Sequence, residues 1–224
     1  MDKVIIIGGK GTAVIIAEQI YDAVTRFNEK IEFLGFAFDD ETMGDTINGF
    51  PLLCKTYDAY KKYGSYNDVK FIYSLYRPDL MKVRAELLYS FKIPDEKMYT
   101  FIHPSALVTR SAKIGSGSVV LANVIINSNS VIGRNNTFNV GTLIGHDTKL
   151  GDNNFFAAQV CVGSNLIIGN GNFVGLNSSL RNFLNIGDYN VVGMQSNVTK
   201  NILNEQVLYG NPAVVKGPLN NAVR

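Results

Sequence analysis

The period of the hydrophobic positions changes near residue 100. Before that point, short apolar runs alternate with segments of helical spacing. "KVIIIGG" (3–9) is an apolar run closed by glycines, which predicts a buried strand. "TAVIIAEQIYDAVTRF" (12–27) sets Val14, Ala17, Ile20, Ala23, Val24 and Phe27 at helical spacing, with Thr12 as the expected cap. "IEFLGFAFDD" (31–40) and "VKFIYSLY" (69–76) predict two further strands. "RPDLMKVRAELLYSFK" (77–92) predicts a helix with Pro78 near its start. Strand–helix alternation over 1–98 predicts a small Rossmann-like α/β domain with a parallel sheet.

From Ile102 the period is six. Every sixth residue from Ile102 to Val198 is aliphatic or Phe, seventeen positions in all. With 46% of the chain hydrophobic, chance gives such a run ~2 times in a million. Glycine follows the apolar residue at Gly115, Gly133, Gly145, Gly151, Gly163, Gly169, Gly175, Gly187 and Gly193, where it suits a corner free of a Cβ clash. Six is neither a helical nor a hairpin period. It describes a short strand plus a corner, repeated so that one side chain per repeat points to a common axis: a parallel β-helix over 99–202, followed by a tail, 203–224. Asn123, Asn135, Asn136, Asn153, Asn154, Asn170 and Asn172 fall at or near the corners, where asparagine tolerates left-handed backbone. The register never slips between 102 and 198, so no long loop is expected to leave the coils.

Composition removes several classes of function. The 224 residues carry a net charge of +2 with no block of like charge, which gives no nucleic-acid or membrane-surface signal. Cys54 and Cys161 have no metal-ligand spacing; they read as reduced packing residues, and no metal is expected. The apolar N-terminal run reads as a strand rather than a signal peptide, and no run is long enough to span a bilayer, so a cytoplasmic location is expected.

The repeats, together with "HPSA" (103–106), an Asn139-to-"GHD" (145–147) segment and a terminal "YGNPA" (209–213), resemble the bacterial sugar acetyltransferases of the left-handed β-helix class. That group includes the bacillosamine-pathway N-acetyltransferase and sialic acid O-acetyltransferases. The resemblance implies a left-handed coil of three hexapeptides, a homotrimer with active sites between subunits, and acetyl-CoA as co-substrate. It implies as acceptor the amine of a UDP- or dTDP-linked amino-dideoxy sugar, a 4-amino-4,6-dideoxyhexose, used in surface glycan synthesis. An O-acetyltransferase acting on sialic acid or another sugar hydroxyl, and a non-catalytic nucleotide-sugar-binding trimer, are the alternatives.

In that family the histidine of this repeat is the general base, which maps onto His146 with Asp147 as its acidic neighbour. The assignment suits the chemistry: an amine attacking a thioester must lose a proton, and histidine titrates near neutrality. His103 is expected to close the sheet domain onto the first coil. The loop Gly8, Gly9, Lys10, Gly11 matches the family's diphosphate loop, with Thr12 and Ala13 in place of its His-Gly. Val14 stands where a dinucleotide fingerprint needs glycine, which argues against NAD. Asp39 and Asp40 fall where the family holds the nucleobase or ribose, and Asn139 matches an acceptor-site asparagine. Phe155 replaces a second histidine of many relatives, leaving the thioester oxygen to backbone N–H groups near Gly163 and Ser164. Gly175, Gly193, Lys200 and Lys216 are the expected coenzyme A contacts, with Val214 where the family has a basic residue.

Overall fold

The computed structural model describes residues 1–219. Strands β1 (Asp2–Ile7), β2 (Ile31–Ala37) and β5 (Val69–Tyr73) pair in parallel around β1. Two elements that no periodicity announced complete the sheet: β3 (Thr46–Ile47) lies antiparallel to β4 (Phe50–Cys54), and β4 runs parallel to β2, giving the order β3-β4-β2-β1-β5. Helix α1 (Thr12–Phe27) buries Ala13, Ile16, Ala17, Ile20 and Ala23. This stripe is rotated from the expected one: Val14 and Val24 are half-buried and Phe27 is exposed. Thr12 does not cap the helix; Gly11 holds that position with no side-chain bond. A short α2 (Ala59–Tyr63) and α3 (Met81–Ser90), the latter led by a 3-10 turn from Pro78 to Leu80, complete the domain.

The second half is a parallel β-helix of two-residue strands. Ile125–Ile126 pairs with Leu107–Val108 below and Leu143–Ile144 above, so partners are one coil, or three hexapeptides, apart. Three sheets form the faces of the prism. From Val120 to Val198 every member of the six-residue series is buried in one continuous core. The first three members are not: Ile102 is 40% exposed and Val108 and Ile114 are half-buried, because no coil lies beneath them. Flat stacking of identical side chains is visible at Phe138 and Phe156, whose ring centroids are 5.2 Å apart at 8°.

The corners differ from the sequence reading in a useful way. The left-handed residue is not the glycine after the core position but the third residue after it, as at Asn129 (φ 60°), Asp147 (φ 55°) and Asn165 (φ 61°). Glycine is required at Gly145 for another reason: a Cβ there would lie 2.3 Å from the carbonyl oxygen of Gly163 on the next coil. Asn136, Asn154, Asn172 and Asn190 are buried and form an internal ladder instead of holding left-handed backbone. The tail does not leave the prism. Gln206–Tyr209 pairs in parallel with Val191–Val192, and Val214–Pro218 returns antiparallel to it. Residues 220–224 lie outside the described residues.

The N-terminal domain covers one face of the prism. Phe101, Val119 and Leu121 share a core with β1 and α1, while Phe155 packs against Met81, Ala157, Tyr76 and Phe173. His103 is 2% exposed and ties α1 to the first coil. Its Nδ1 accepts from the Ser105 N–H (3.2 Å), and Nε2 donates to Asp22 (3.1 Å).

Candidate active site

His146 and Asp147 follow the strand Leu143–Ile144 at one edge of the prism. The left-handed turn at Asp147 presents both side chains outward; they are 56% and 45% exposed in the single chain. His146 Nδ1 lies 2.6 Å from Asp147 Oδ2. A carboxylate only accepts, so Nδ1 carries the proton and Nε2, which has no partner among the described residues, presents its lone pair. Asp147 Oδ1 accepts from Asn129 Nδ2 (3.0 Å) one coil below. The imidazole first, and Asn129 second, hold the Asp147 carboxyl below its ordinary range.

The coil register stacks Ser128, His146, Ser164, Asn182 and Lys200 along this edge. Ser164 therefore sits one coil above the histidine. Lys200 is three coils away, about 14 Å at the spacing of paired strands. Reading every eighteenth residue from His146 gives the same row, a signal that the six-residue reading passes over. The expected thioester donors need correction. Gly163 N–H donates to Leu180 O (2.9 Å) and Ser164 N–H to Asn182 Oδ1 (2.9 Å), so neither is free. Among the described residues the Ser164 hydroxyl makes no hydrogen bond, and neither do the Ser128 hydroxyl and Asn182 Nδ2 on the same edge.

Other site residues fall elsewhere. Asn139 stands at the preceding corner, beside Val140, which packs against the N-terminal domain; its Oδ1 accepts from the Val140 N–H (2.8 Å), and its amide NH2 is free. Phe155, 6% exposed, faces the N-terminal domain, stacked on Phe173 (5.0 Å) and tilted against Tyr76 (5.1 Å). It cements the two halves, which is a structural reason for an aromatic ring there. Cys54 is half-buried as expected, and burial raises its thiol pKa, but Cys161 is exposed on the outer face of the prism and is not a packing residue within the chain.

A cleft of about 600 Å³ lies at the C-terminal ends of β2 and β5, lined by Phe38, Asp39, Asp40, Leu75, Arg84 and Leu87. This is where parallel α/β sheets receive ligands. The glycine loop adjoins it. A Cβ at Gly8 (φ +145°) would lie 2.5 Å from Ser74 O, and one at Gly9 2.6 Å from the Phe38 ring, so both glycines are needed to bring the loop against its neighbours. Lys10 is not a free cation but pairs with Asp40 (2.5 Å). Asp40 also accepts from Thr42 N–H (3.0 Å), and together these contacts, Lys10 foremost, hold it far below the usual carboxylate range. Asp39 gives one oxygen to the Thr56 N–H (3.0 Å) and the other to its hydroxyl (2.6 Å). Arg84 is a residue that sequence reading missed, because on a charged helix it resembles any solvated side chain.

A second hollow, about 270 Å³, joins Lys200 to Pro212, Ala213 and Val214 at the end of the prism. Lys216 instead stacks over the Tyr209 ring (5.0 Å). Gly175 and Gly193 lie where a Cβ would strike the backbone of the next coil or Tyr209. Among the described residues no cluster of His, Cys, Asp and Glu fits a metal ion, and no helix is long and apolar enough to cross a membrane.

A small α/β domain seated on a parallel β-helix is the architecture of the hexapeptide-repeat sugar acetyltransferases, whose coil is left-handed. Three solved structures match over nearly the whole chain. The acetyltransferase domain of PglB from Neisseria gonorrhoeae superposes with TM-score 0.83 at 25% identity, covering 96% of this chain and 100% of that one. PerB from Caulobacter crescentus, in complex with CoA and GDP-perosamine, gives 0.78 at 23%, covering 97% and 98%. WeeI from Acinetobacter baumannii gives 0.78 at 22%, covering 96% and 100%. No family model matches the sequence, and no curated protein matches it.

Proposed function

We propose that this protein transfers the acetyl group of acetyl-CoA to the amine of a nucleotide-linked amino sugar, a 4-amino-4,6-dideoxyhexose, for surface glycan synthesis. The observation that carries the reading is the His146–Asp147 pair with its free Nε2, on the same chain as a nucleotide-sized cleft beside a glycine loop. Nucleotide-sugar and CoA binding by the structurally similar PerB supports it.

The residues suggest the following sequence of events. Asp147 holds the imidazole in the Nδ1–H tautomer and stabilises the imidazolium that forms. His146 Nε2 takes the proton that the amine must lose as its C–N bond to the thioester carbon forms. It returns that proton to the sulfur as the C–S bond breaks. In this reading the Ser164 hydroxyl donates to the thioester oxygen, and Lys200, further along the same edge, meets the coenzyme's phosphates. In this reading Asn139, which stands a corner away from His146 on its own chain, meets the base of a neighbouring subunit in a trimer. The acceptor's carrier nucleotide is resolved by assay, with UDP, dTDP and GDP sugars side by side.

The test is thiol release from acetyl-CoA with 3-amino and 4-amino sugar nucleotides, products being weighed by mass spectrometry. His146→Ala is expected to lower turnover about 10²- to 10⁴-fold, the range of general-base contributions, with an unchanged melting curve. Near-normal turnover in that variant would sink the assignment. Acetylation of free sialic acid alone would replace the amine reading with the hydroxyl one.

A further inference from the structure

Arg84 is the unsatisfied charge of the N-terminal cleft. Its Nε is buried without a hydrogen-bond partner, and its guanidinium makes no ion pair among the described residues. Acids stand nearby, but each is committed. Asp79 is held by Arg77, Asp40 by Lys10 and Thr42, and Asp39 by both donors of Thr56. The backbone offers no reason to keep the side chain there either: Tyr73 OH bonds the Arg84 carbonyl (2.7 Å), a contact any residue would keep. Arg84 is only partly buried, but a guanidinium whose Nε is shut away from water without a partner is a cost to the free protein, so its place in the wall of the cleft needs a ligand to explain it.

We infer that Arg84 is the residue that grips the diphosphate of the nucleotide sugar, an inference resting on the nucleotide-sugar reading of this cleft. Charge decides between phosphate and nucleobase. The diphosphate is the substrate's strong anion, whereas base and ribose offer neutral groups. The planar fork of arginine matches two phosphate oxygens at once. Lys10, the cation the sequence offered for this task, is neutralised by Asp40. Thr12 and Ala13 supply no cation. The cleft is thereby graded: each Asp39 oxygen, holding one Thr56 donor, keeps a second lone pair for the hydroxyl and amide donors of the nucleoside, and Arg84 at another part of the wall suits the phosphates.

The experiment is titration calorimetry of the full chain and of Arg84→Gln and Arg84→Lys with UDP, dTDP, GDP, inorganic pyrophosphate and the matching nucleosides. Arg84→Gln is expected to weaken the bound nucleoside diphosphate by about 10- to 100-fold, the worth of one or two charge-assisted hydrogen bonds. Arg84→Lys is expected to lose less, and nucleoside binding to be unchanged. The ligand-free Arg84→Gln protein is expected to melt at or above the temperature of the unsubstituted chain, whereas a purely structural arginine predicts a lower one. Equal diphosphate affinity in Arg84→Gln, or an equal loss for nucleoside and nucleoside diphosphate, overturns the assignment alone. No binding of any nucleotide by the unsubstituted chain overturns the nucleotide-sugar reading and this inference with it.

Discussion

Asn129 holds Asp147 as Asp147 holds His146, and the three side chains form one line across two coils. Because Asn129 donates to the carboxylate, it favours the charged form, so its loss raises the Asp147 pKa. Asn129→Leu is therefore expected to move the acidic limb of the pH–kcat/KM profile to higher pH and to lower kcat about 3- to 10-fold, a modest loss because the contact is half open to water. Asn129→Asp, which sets a like charge beside the carboxylate, is expected to move the limb further. An unchanged profile in both variants would show that Asn129 serves only the coil. At this scale the sequence was legible where a residue type is rare: His146, one of two histidines, stood out and drew notice to Asp147 beside it. Asn129 did not, because its partner is eighteen residues away and asparagine is common at these corners. Arg84 did not, because nothing in a helical repeat marks which charged side chain turns toward a cleft.

Within the prism, the asparagine ladder shows how an element is stabilised by polar groups that have no water to turn to. Asn154 is fully buried; its N–H and Nδ2 both donate to Asn136 Oδ1 (2.9 and 3.0 Å), and its Oδ1 accepts from the N–H and Nδ2 of Asn172 (2.8 and 3.0 Å). Asn154→Leu keeps the backbone N–H on Asn136 Oδ1 but strands the N–H and Nδ2 of Asn172 and the Gly169 carbonyl that Asn154 Nδ2 serves (2.9 Å), and is expected to cost about 2–5 kcal/mol, measured by denaturant titration. A loss below about 1 kcal/mol would mean that water enters the ladder. The repeat itself was legible because one residue in six must enter the core. Its ends were not. Ile102 obeys the period yet is exposed, since nothing lies below it. The final coil is two residues short, so Gln206 N–H reaches Asn190 Oδ1 across sixteen residues instead of eighteen. Strands β3 and β4 carried no readable alternation: Phe50, Leu52, Leu53 and Cys54 are all partly buried.

At the scale of the whole molecule, what stands out is apolar surface. Large apolar side chains remain exposed on the prism: Phe183 (73%), Met194 (70%), Ile167 (57%) and Leu107 (58%), of which Phe183 follows Asp147 two coils further along the catalytic edge. Such surface is what an association face looks like before its partner arrives. His146 and Asn139 stand at different corners of one prism, and on the proposed function a cyclic trimer that sets one chain's His146 edge against the next chain's Asn139 corner would bring base and acceptor together. This makes a quantitative prediction. In His146→Ala and Asn139→Ala homotrimers every site lacks one partner, so both are expected to be nearly inactive. If the two variants are unfolded, mixed in equal amounts and refolded, a site is intact when its histidine comes from one variant and its asparagine from the other. Random assembly gives that combination in about one quarter of sites, so about one quarter of the unsubstituted activity should return. If one chain supplied both residues, every site in the mixture would still carry a defect and no activity would return, whatever the oligomeric state measured by light scattering.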